Sequence, residues 1–273
     1  MPYIDQEIQS RWFDFGGDTV INTNAMIRLT GERQSQSGWL WSRLPITAQN
    51  FQVEFEFKIH GSSNALYGDG MAMWISKQRA QQGKVFGSID NFEGLGIFFD
   101  TYANNRRSPH SFPFVMAMLG DGSTAYDHEN DGSANEVASC SSQFRSRDDV
   151  TKGRLTYYKD NYLKFELQTH GNDRWDECFR IDGVTLPPVA YLGFTAHTGE
   201  VTDNHDIISV TTSSLPPVPK VSVNRKPPPK LAKSGSVVGW MLKLGGLGLI
   251  AYGVRFAYTY YKDTQNKKTE FRF

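Results

Sequence analysis

Three short segments rich in side-chain oxygen interrupt an otherwise apolar and aromatic sequence. They are Tyr67-Gly-Asp69-Gly70, Phe98-Phe-Asp100-Thr-Tyr102-Ala-Asn104-Asn105 and Tyr126-Asp-His128-Glu-Asn130-Asp131-Gly132. A carboxylate withdrawn from water at the end of a buried strand is costly unless it is paired. A cation bound by Asp100, Asn104 and Asp131 would remove that cost. Asp69, Asn104 and His128 would then offer outward hydrogen bonds, so the pattern predicts a calcium-dependent sugar site.

The spacing within the second segment suits calcium, which takes six to eight oxygen ligands of mixed type. The alternate positions of Asp100, Tyr102 and Asn104 let a bent loop present two side chains and the Tyr102 carbonyl to one point. Asp131 would supply a further contact from a distant segment. Taken alone, the loop would equally fit an Asn-rich surface turn with solvated acids.

An EF-hand is a competing calcium motif, because Asp127, Glu129 and Asp131 followed by Gly132 resemble the start of its loop. The twelfth position of that loop requires a bidentate glutamate, but Ala138 stands there. No flanking helices are indicated. The EF-hand is therefore rejected.

The elements that must position these segments are strands. Apolar residues alternate with polar ones from Phe51 to Ile59, and again from Leu163 to Leu167. Asp121-Gly122 and Asp182-Gly183 are turn dipeptides between apolar segments. Many short strands joined by such turns predict an all-β sandwich or barrel.

Composition is consistent with one large β domain and excludes some partners. The chain has 273 residues, of which 13% are aromatic, enough for a substantial sheet-on-sheet core. Its formal net charge is zero, and it contains no Walker loop or zinc-ligand spacing. We therefore expect no nucleic-acid partner.

Long ordered motifs resemble the L-type (legume-like) lectins of the secretory pathway, specifically the vesicular integral membrane type with a short stalk. The resemblance covers about residues 12–210 and rests on GDGMAMWISKQRAQQGKVFGSIDNFEGLGIFFDTYANN, YDHENDG and TAHTGEVTDNHDIISV. It implies a legume-lectin-like (concanavalin-type) jelly-roll sandwich. It also implies a mannose-binding cargo receptor of the endoplasmic reticulum, intermediate compartment and Golgi apparatus.

By resemblance, each site residue acquires a role. The implied calcium ligands are Asp100, Tyr102, Asn104 and Asp131. The implied mannose contacts are Ser35, Asp69, Asn104, His128, Gly199, Glu200 and Val201. Some relatives hold a second ion with acids where this chain has Ala103 and Asn105, so we expect one calcium ion. Relatives often have Asp or Gly in place of Glu200. Because Glu200 has a longer side chain, we expect it to affect the reach toward outer mannoses and thus which glycan arms are preferred.

The chain has two cysteines, Cys140 and Cys178. From the sequence alone, two free buried thiols are as reasonable as a disulfide. The resemblance implies that they are paired, which would require an oxidising compartment such as the endoplasmic reticulum lumen.

The composition changes after Val210, and four regions follow from it. We predict a carbohydrate-recognition domain at 1–210, a Pro-rich stalk at 211–236, a transmembrane helix at 237–261 and a cytosolic tail at 262–273. Lys243 and Arg255 interrupt the predicted span but lie near its ends, where long side chains can reach the headgroups. An interfacial or merely buried helix is the alternative.

Flanking charge does not decide the orientation of this anchor. The resemblance, the implied disulfide and the calcium demand indicate a single-pass type I protein with a lumenal lectin domain. The terminal aromatics Phe271 and Phe273 are similar to export signals that coat proteins recognise in vesicle-mediated transport, although a solvated tail without a signal is the alternative.

No signal peptide is visible at Met1. Either the numbering omits it, the start codon lies upstream, or the C-terminal anchor alone inserts and leaves the domain in the cytosol.

The predicted function is calcium-dependent binding of high-mannose glycoproteins during endoplasmic reticulum to Golgi transport. A lectin-fold interaction protein with a decayed sugar site is one alternative. A jelly-roll glycoside hydrolase is another, and Glu54 with Glu56 is its nearest carboxylate pair. That pair falls on the polar face of a strand and lacks the further carboxylates of such enzymes, so we expect no catalysis.

Overall fold

The computed structural model describes residues 10–23, 25–105, 107–171, 174–217 and 252–262. The chain divides into two units, Met1–Val218 and Pro219–Phe273. Within the described part of the first unit lie one 3-10 turn, His128–Asn130, and fourteen strands. The strands are β1 (Phe13–Gly17), β2 (Val20–Asn22), β3 (Met26–Thr30), β4 (Ser37–Ser42), β5 (Asn50–His60), β6 (Gly70–Ser76), β7 (Glu93–Asp100), β8 (Phe114–Asp121), β9 (Ala138–Ser141), β10 (Thr151–Tyr158), β11 (Tyr162–Gln168), β12 (Asp176–Asp182), β13 (Tyr191–His197) and β14 (Asn204–Ser214).

The strands form two seven-stranded sheets whose neighbours are antiparallel. The first sheet has the order β1-β4-β13-β6-β7-β8-β9, and the second has the order β12-β11-β10-β5-β14-β3-β2. Strands that are adjacent in space are often distant in sequence, as β13 and β6 are. The predicted all-β sandwich is confirmed.

The alternation predicted around β5 produces the core between the sheets. Phe55 and Phe57 of β5 are buried, whereas the intervening polar residues point away from the core. Phe55 meets Phe194 of β13, and Phe57 meets Phe99 of β7, each at a ring-centroid distance of 5.0 Å. Each such side chain contributes roughly 1.5–3 kcal/mol by leaving water.

The first sheet buries its other face as well. Every residue of β6 is buried, and alternate residues contact two different clusters of apolar side chains. The second cluster includes Trp74 and Phe98 from the sheet, with Phe86, Phe92 and Tyr126 from the loops that cover it. These loops follow β6 and β8, and they bring chemistry-bearing residues onto the outer face of the sheet.

A disulfide joins Cys140 of β9 to Cys178 of β12, with their Cα atoms 5.3 Å apart. These strands are the end strands of the first and second sheets respectively. The bridge therefore connects the two sheets at one side of the sandwich, and the pairing implied by the resemblance is confirmed.

The predicted C-terminal regions fall mostly outside the described residues. Strand β14 continues to Ser214, beyond the predicted end of the domain at 210, and residues 252–262 form a helix with exposed side chains. Among the described residues, no helix is both long and apolar enough to span a membrane. The stalk from 218, the span up to 251 and the tail from 263, with Phe271 and Phe273, lie outside the described part.

Candidate calcium and sugar site

The first two oxygen-rich segments meet at one end of the first sheet. Gly70 at the start of β6 pairs with Asp100 at the end of β7, and it also pairs with His197 at the end of β13. The Asp69 carbonyl accepts hydrogen bonds from the amide and the hydroxyl of Thr101, at 3.1 and 3.0 Å. Strand register therefore places three loop ends around one point.

Gly68 explains why the first segment is glycine-rich. Its φ is 154°, and a Cβ there would lie 2.7 Å from the Cβ of Tyr102. A side chain would be both strained and obstructed, so glycine is required. The segment can consequently pack directly against the loop that follows β7.

Asp100 and Asp131 are the buried carboxylates of the site, with 3% and 0% of their surfaces exposed. Oδ1 of Asp100 accepts a hydrogen bond from the Tyr102 amide at 3.0 Å. Oδ1 of Asp131 accepts one from the Asn104 amide at 2.9 Å, and Oδ2 accepts a longer one from the Asn105 amide at 3.4 Å. Asp131 thus attaches the third oxygen-rich segment to the second.

The local backbone positions Asp131. It terminates the 3-10 turn with φ 53° and ψ 36°, a left-handed conformation that aspartate adopts more readily than most residues. Gly132 follows with φ 75°, and a Cβ there would clash with Met116 and Tyr126. The Asp-Gly sequence therefore lets the chain reverse while the Asp131 carboxylate points inward.

The electrostatics of these carboxylates favour a cation. Burial holds the pKa of Asp100 well above its usual range, and the negative charges of Asp131 and Asp69 raise it further, while the Tyr102 amide opposes the shift. A bound cation would reverse this penalty. Two carboxylates with amide and carbonyl oxygens nearby suit a hard ion such as calcium.

The described residues do not form a metal centre of the kind that zinc prefers. No three His, Cys, Asp or Glu side chains converge among them as a metal-binding group. The predicted calcium ligands are of a different type from those of a zinc centre. Only Asp100 and Asp131 are carboxylates, and the remaining oxygens come from Tyr102 and Asn104. Such a set fits calcium better than zinc.

A cleft of about 200 Å³ opens beside Asp100. Five residues predicted for the site line it, and four others join them. The predicted lining residues are Asp69, Asp100, Tyr102, Asn104 and His128. The others are Lys84, Phe86, Tyr126 and His197. Asp131 reaches the site through its hydrogen bonds to the loop instead.

Aromatic rings form one wall of the cleft. Phe86 stacks on Phe98 with centroids 5.1 Å apart, and Tyr126 contacts Phe98 edge-on at the same distance. The His128 ring lies 5.0 Å from that of Tyr126. Burial, with smaller contributions from Asp100 and Asp131, raises the pKa of Tyr126, so its hydroxyl stays neutral. The cleft therefore combines an apolar wall with a polar end.

The remaining predicted sugar contacts do not line this cleft but lie on the loops after β3 and β13. The Ser35 amide donates to the Gly199 carbonyl at 3.1 Å, which joins the loop after β3 to the loop after β13. A Cβ on Gly199 would lie only 3.2 Å from Oδ2 of Asp69. Glu200 is exposed, and its carbonyl accepts a hydrogen bond from Gln34 at 2.9 Å. Val201 approaches Gly68.

His197 is a site residue that the sequence reasoning missed. Its Nδ1 lies 2.9 Å from Oδ2 of Asp69. Because a carboxylate only accepts, His197 carries the hydrogen on Nδ1 and fixes that oxygen. The residue is the last of β13, and only the long-range pairing of β13 with β6 reveals its place. Lys84 and Phe86 were missed for a related reason, since they belong to a covering loop without periodicity.

A comparison with protein families decides the relationship. The legume-like lectin family matches residues 1–221. The chain belongs to the legume-like lectin family. Both the predicted family and the predicted legume-lectin fold are thereby confirmed.

Individual relatives of this lectin agree. It is 42% identical to an L-type lectin-like domain-containing protein of Schizosaccharomyces pombe, over 78% of this chain and 69% of that protein. It is 40% identical to mouse vesicular integral-membrane protein VIP36, over 74% of this chain but only 56% of VIP36. The chain therefore spans little more than half the length of VIP36.

A solved structure extends the comparison to three dimensions. The crystal structure of the VIP36 exoplasmic/lumenal domain in its Ca²⁺/Man-bound form superimposes with a TM-score of 0.76 at 38% identity. The match covers 78% of this chain and 88% of that domain. The sandwich described above is therefore the lectin domain of the family.

The carboxylate pair considered for a hydrolase lies elsewhere in this lectin. Glu54 pairs with Arg154 at 3.6 Å and Glu56 with Lys152 at 3.3 Å, on the outer face of the second sheet. The cleft belongs to the first sheet. Both carboxylates are held in ion pairs, and neither lines the cleft beside Asp100. They therefore do not resemble a catalytic pair that faces a glycosidic bond.

Proposed function

We propose that this lectin binds high-mannose N-glycans in a calcium-dependent manner. The observation that carries the proposal is the convergence of Asp69, Asn104 and His128 on one cleft, which the buried Asp100 also lines. Three segments that are separate in sequence supply these residues. Their meeting favours an intact sugar site over a decayed one.

Each polar residue has a distinct task in this proposal. Asp69 accepts hydrogen bonds from sugar hydroxyls through Oδ1, because His197 already occupies Oδ2. Asn104 donates through its amide nitrogen, and His128 offers a further polar contact. Phe86 and Tyr126 present the apolar surface against which the carbon face of a hexose packs.

Calcium would be held by Asp100, Asn104, Asp131 and the Tyr102 carbonyl. When bound, it would supply the positive charge that keeps the buried Asp100 carboxylate ionised. The protein's own contribution is the set of amide hydrogen bonds that already aim Asp131 at the loop. We propose a single ion, because Ala103 and Asn105 provide no additional carboxylate.

Mannose is proposed as the sugar because of the relatives. Crystal structures of the VIP36 domain are described as Ca²⁺/Man2-bound and Ca²⁺/Man3GlcNAc-bound, at 37% and 38% identity to this chain. The loop containing Gly199, Glu200 and Val201 would then contact outer mannoses. Glu200→Gly should change the ranking of glycan arms without abolishing binding.

A calcium-controlled glycan array tests this function most broadly. We expect high-mannose glycans to bind in calcium and to be lost in excess chelator, with Glu54→Gln as a control variant that behaves like the wild type. Absence of binding in both conditions would favour the decayed-site alternative. Release of reducing sugar from the bound glycans would favour a hydrolase and overturn the lectin proposal.

We further propose that the lectin sorts glycoprotein cargo between the endoplasmic reticulum and the Golgi apparatus, as a single-pass membrane protein with a lumenal domain. The disulfide supports an oxidising compartment, and VIP36 is named a vesicular integral-membrane protein. Protease protection in microsomes tests the topology, because a protease added outside the microsomes should leave the lumenal lectin domain intact.

Replacing Phe271 and Phe273 by alanine should weaken binding of the tail to coat proteins.

A further inference from the structure

The side chain of Arg145 is buried outside the cleft and makes an unusually complete set of contacts. Arg145 follows β9, and its side chain is 7% exposed. Nε and Nη2 donate to the two oxygens of Asp203 at 2.7 and 2.8 Å, and Nη2 also donates to the Ser63 carbonyl at 2.8 Å. Its guanidinium carbon lies 3.6 Å from the ring centroid of Tyr67.

These contacts join two loops that both carry proposed sugar contacts. Ser63 and Tyr67 belong to the loop between β5 and β6, which ends at Asp69. Asp203 closes the loop between β13 and β14, which contains residues 199–201. Asp203 is fully buried, and a Cβ on Gly61 would lie 2.4 Å from its Oδ1, so the first loop also packs directly on this carboxylate.

Apart from its contacts with Arg145, the first loop is attached near its two ends, where Ser62 donates to Glu32 and Asp69 contacts Thr101 and His197. Residues 61–69 form no strand, and Leu66 within it is 67% exposed. A loop with this exposure is mobile unless its backbone is attached to the scaffold. Arg145 itself is attached, because it bridges to Ile59 of β5 and the next amide, of Ser146, donates to the Ile59 carbonyl at 2.8 Å.

We infer that Arg145 is a positioning residue for the sugar site: it fastens the Asp69 loop and the 199–201 loop to each other and to the sandwich. The inference deepens the proposed function and rests on it for the sugar readout. Arg145 lines no part of the cleft and contacts none of the proposed calcium ligands. It therefore sets sugar affinity separately from calcium affinity.

The bidentate geometry explains why arginine occupies this position. Lysine keeps the charge but cannot donate in parallel to both Asp203 oxygens while it also reaches Ser63 and stacks on Tyr67. In the full chain, Arg145→Lys should raise the dissociation constant for a mannose disaccharide about tenfold, the lower end of what outer partners of a site contribute. The calcium dissociation constant should stay unchanged, because Arg145 contacts none of the proposed calcium ligands.

Matched variants separate positioning from loss of stability. Arg28→Lys is the control, because Arg28 also makes a bidentate pair, with Asp206 at 2.7 and 2.9 Å, but touches neither loop. It should leave mannose affinity unchanged. Tyr67→Leu should weaken mannose binding like Arg145→Lys, whereas Tyr67→Phe keeps the ring and should retain it.

A readout without sugar keeps this inference distinct from the proposed function. Hydrogen–deuterium exchange should rise in residues 61–69 and 198–203 of Arg145→Lys and stay unchanged around Asp131. If the wild type binds no mannose, the proposed function fails, and the exchange result alone decides on Arg145. Unchanged exchange in both loops, wild-type mannose affinity in folded Arg145→Lys, or equal loss of calcium and mannose affinity would each overturn the inference.

Discussion

At the scale of single residues, the site depends on buried carboxylates whose negative charge is energetically costly without a bound cation. Asp100 is the clearest case, because burial and the neighbouring negative charges of Asp131 and Asp69 all disfavour its ionised form. One backbone amide, from Tyr102, is the described group that opposes them. Such a residue contributes to ligand binding rather than to folding.

Substituting Asp100 tests this directly. Asp100→Ala should abolish calcium and mannose binding while the domain still folds, since the change removes a buried charge that lacks a cationic partner. Isothermal titration measures both affinities, and circular dichroism reports the fold. Glu56→Ala on the outer face of the second sheet is the control and should retain both. Calcium binding by the Asp100→Ala variant would exclude Asp100 as a ligand.

A second buried residue makes stability depend on pH. Burial lowers the pKa of His205 from 6.5 to about 3, partly opposed by Asp206. Nδ1 lies 2.7 Å from the Thr30 hydroxyl, and among the described residues Nε2 has no hydrogen-bond partner. The ring is therefore neutral in the folded state, whereas the unfolded chain takes up a proton below about pH 6.5.

The direction in which stability changes with pH follows from this difference in proton binding between the folded and unfolded states. Stability from neutral His205 is complete above pH 6.5 and decreases as the pH falls from 6.5 towards 3, by about 1.4 kcal/mol per pH unit. His205→Asn should make the free energy of unfolding less dependent on pH between 6.5 and 4.5, as urea titrations would show. The exposed His170, replaced by asparagine, should leave the dependence unchanged. An equal slope in His205→Asn would refute the assignment.

At the scale of elements, the disulfide and the loop ends organise the sandwich. Strands β9 and β12 are end strands, which hold fewer ladder hydrogen bonds than central strands. The bridge between Cys140 and Cys178 closes a stretch with a sequence separation of 38 residues. It therefore restricts the unfolded chain while it joins the two sheets.

Removing the bridge should destabilise the domain without altering the site. Cys140→Ala with Cys178→Ala should lower the free energy of unfolding by about 4 kcal/mol in the chain-entropy model. Urea unfolding measures this difference, and reduction of the wild type should produce a similar loss. Mannose affinity of the folded fraction should stay constant. An unchanged midpoint would show that the bridge does not restrain the unfolded state.

The elements also show what the sequence could and could not predict. Strand β5 was predictable because one face is buried and the other is not, which produces alternation. Strand β6 is buried on both faces and shows no period, so only its motif indicated a strand. The sites of Lys84, Phe86 and His197 depend on covering loops and on the pairing of β13 with β6. No local pattern encodes such register, so these residues could not be placed.

At the scale of the whole molecule, the described lectin domain is a two-sheet sandwich whose candidate site lies at one end of the first sheet. Residues near 69, 104 and 131 come from three loops, and residues 199–201 from a fourth. The scaffold aligns these loops through strand ends, while Asp131 attaches two of them by hydrogen bonds. Calcium is the proposed ligand that completes this arrangement and makes it able to bind sugar.

The most direct test of the calcium-dependent sugar site is a calorimetric titration of the lectin with a mannose disaccharide, first in calcium and then in excess chelator. We expect measurable binding in calcium, its loss in chelator and its recovery when calcium is restored, with the fold unchanged throughout. Undiminished mannose affinity in excess chelator would show that no calcium ion at Asp100 and Asp131 organises the sugar site.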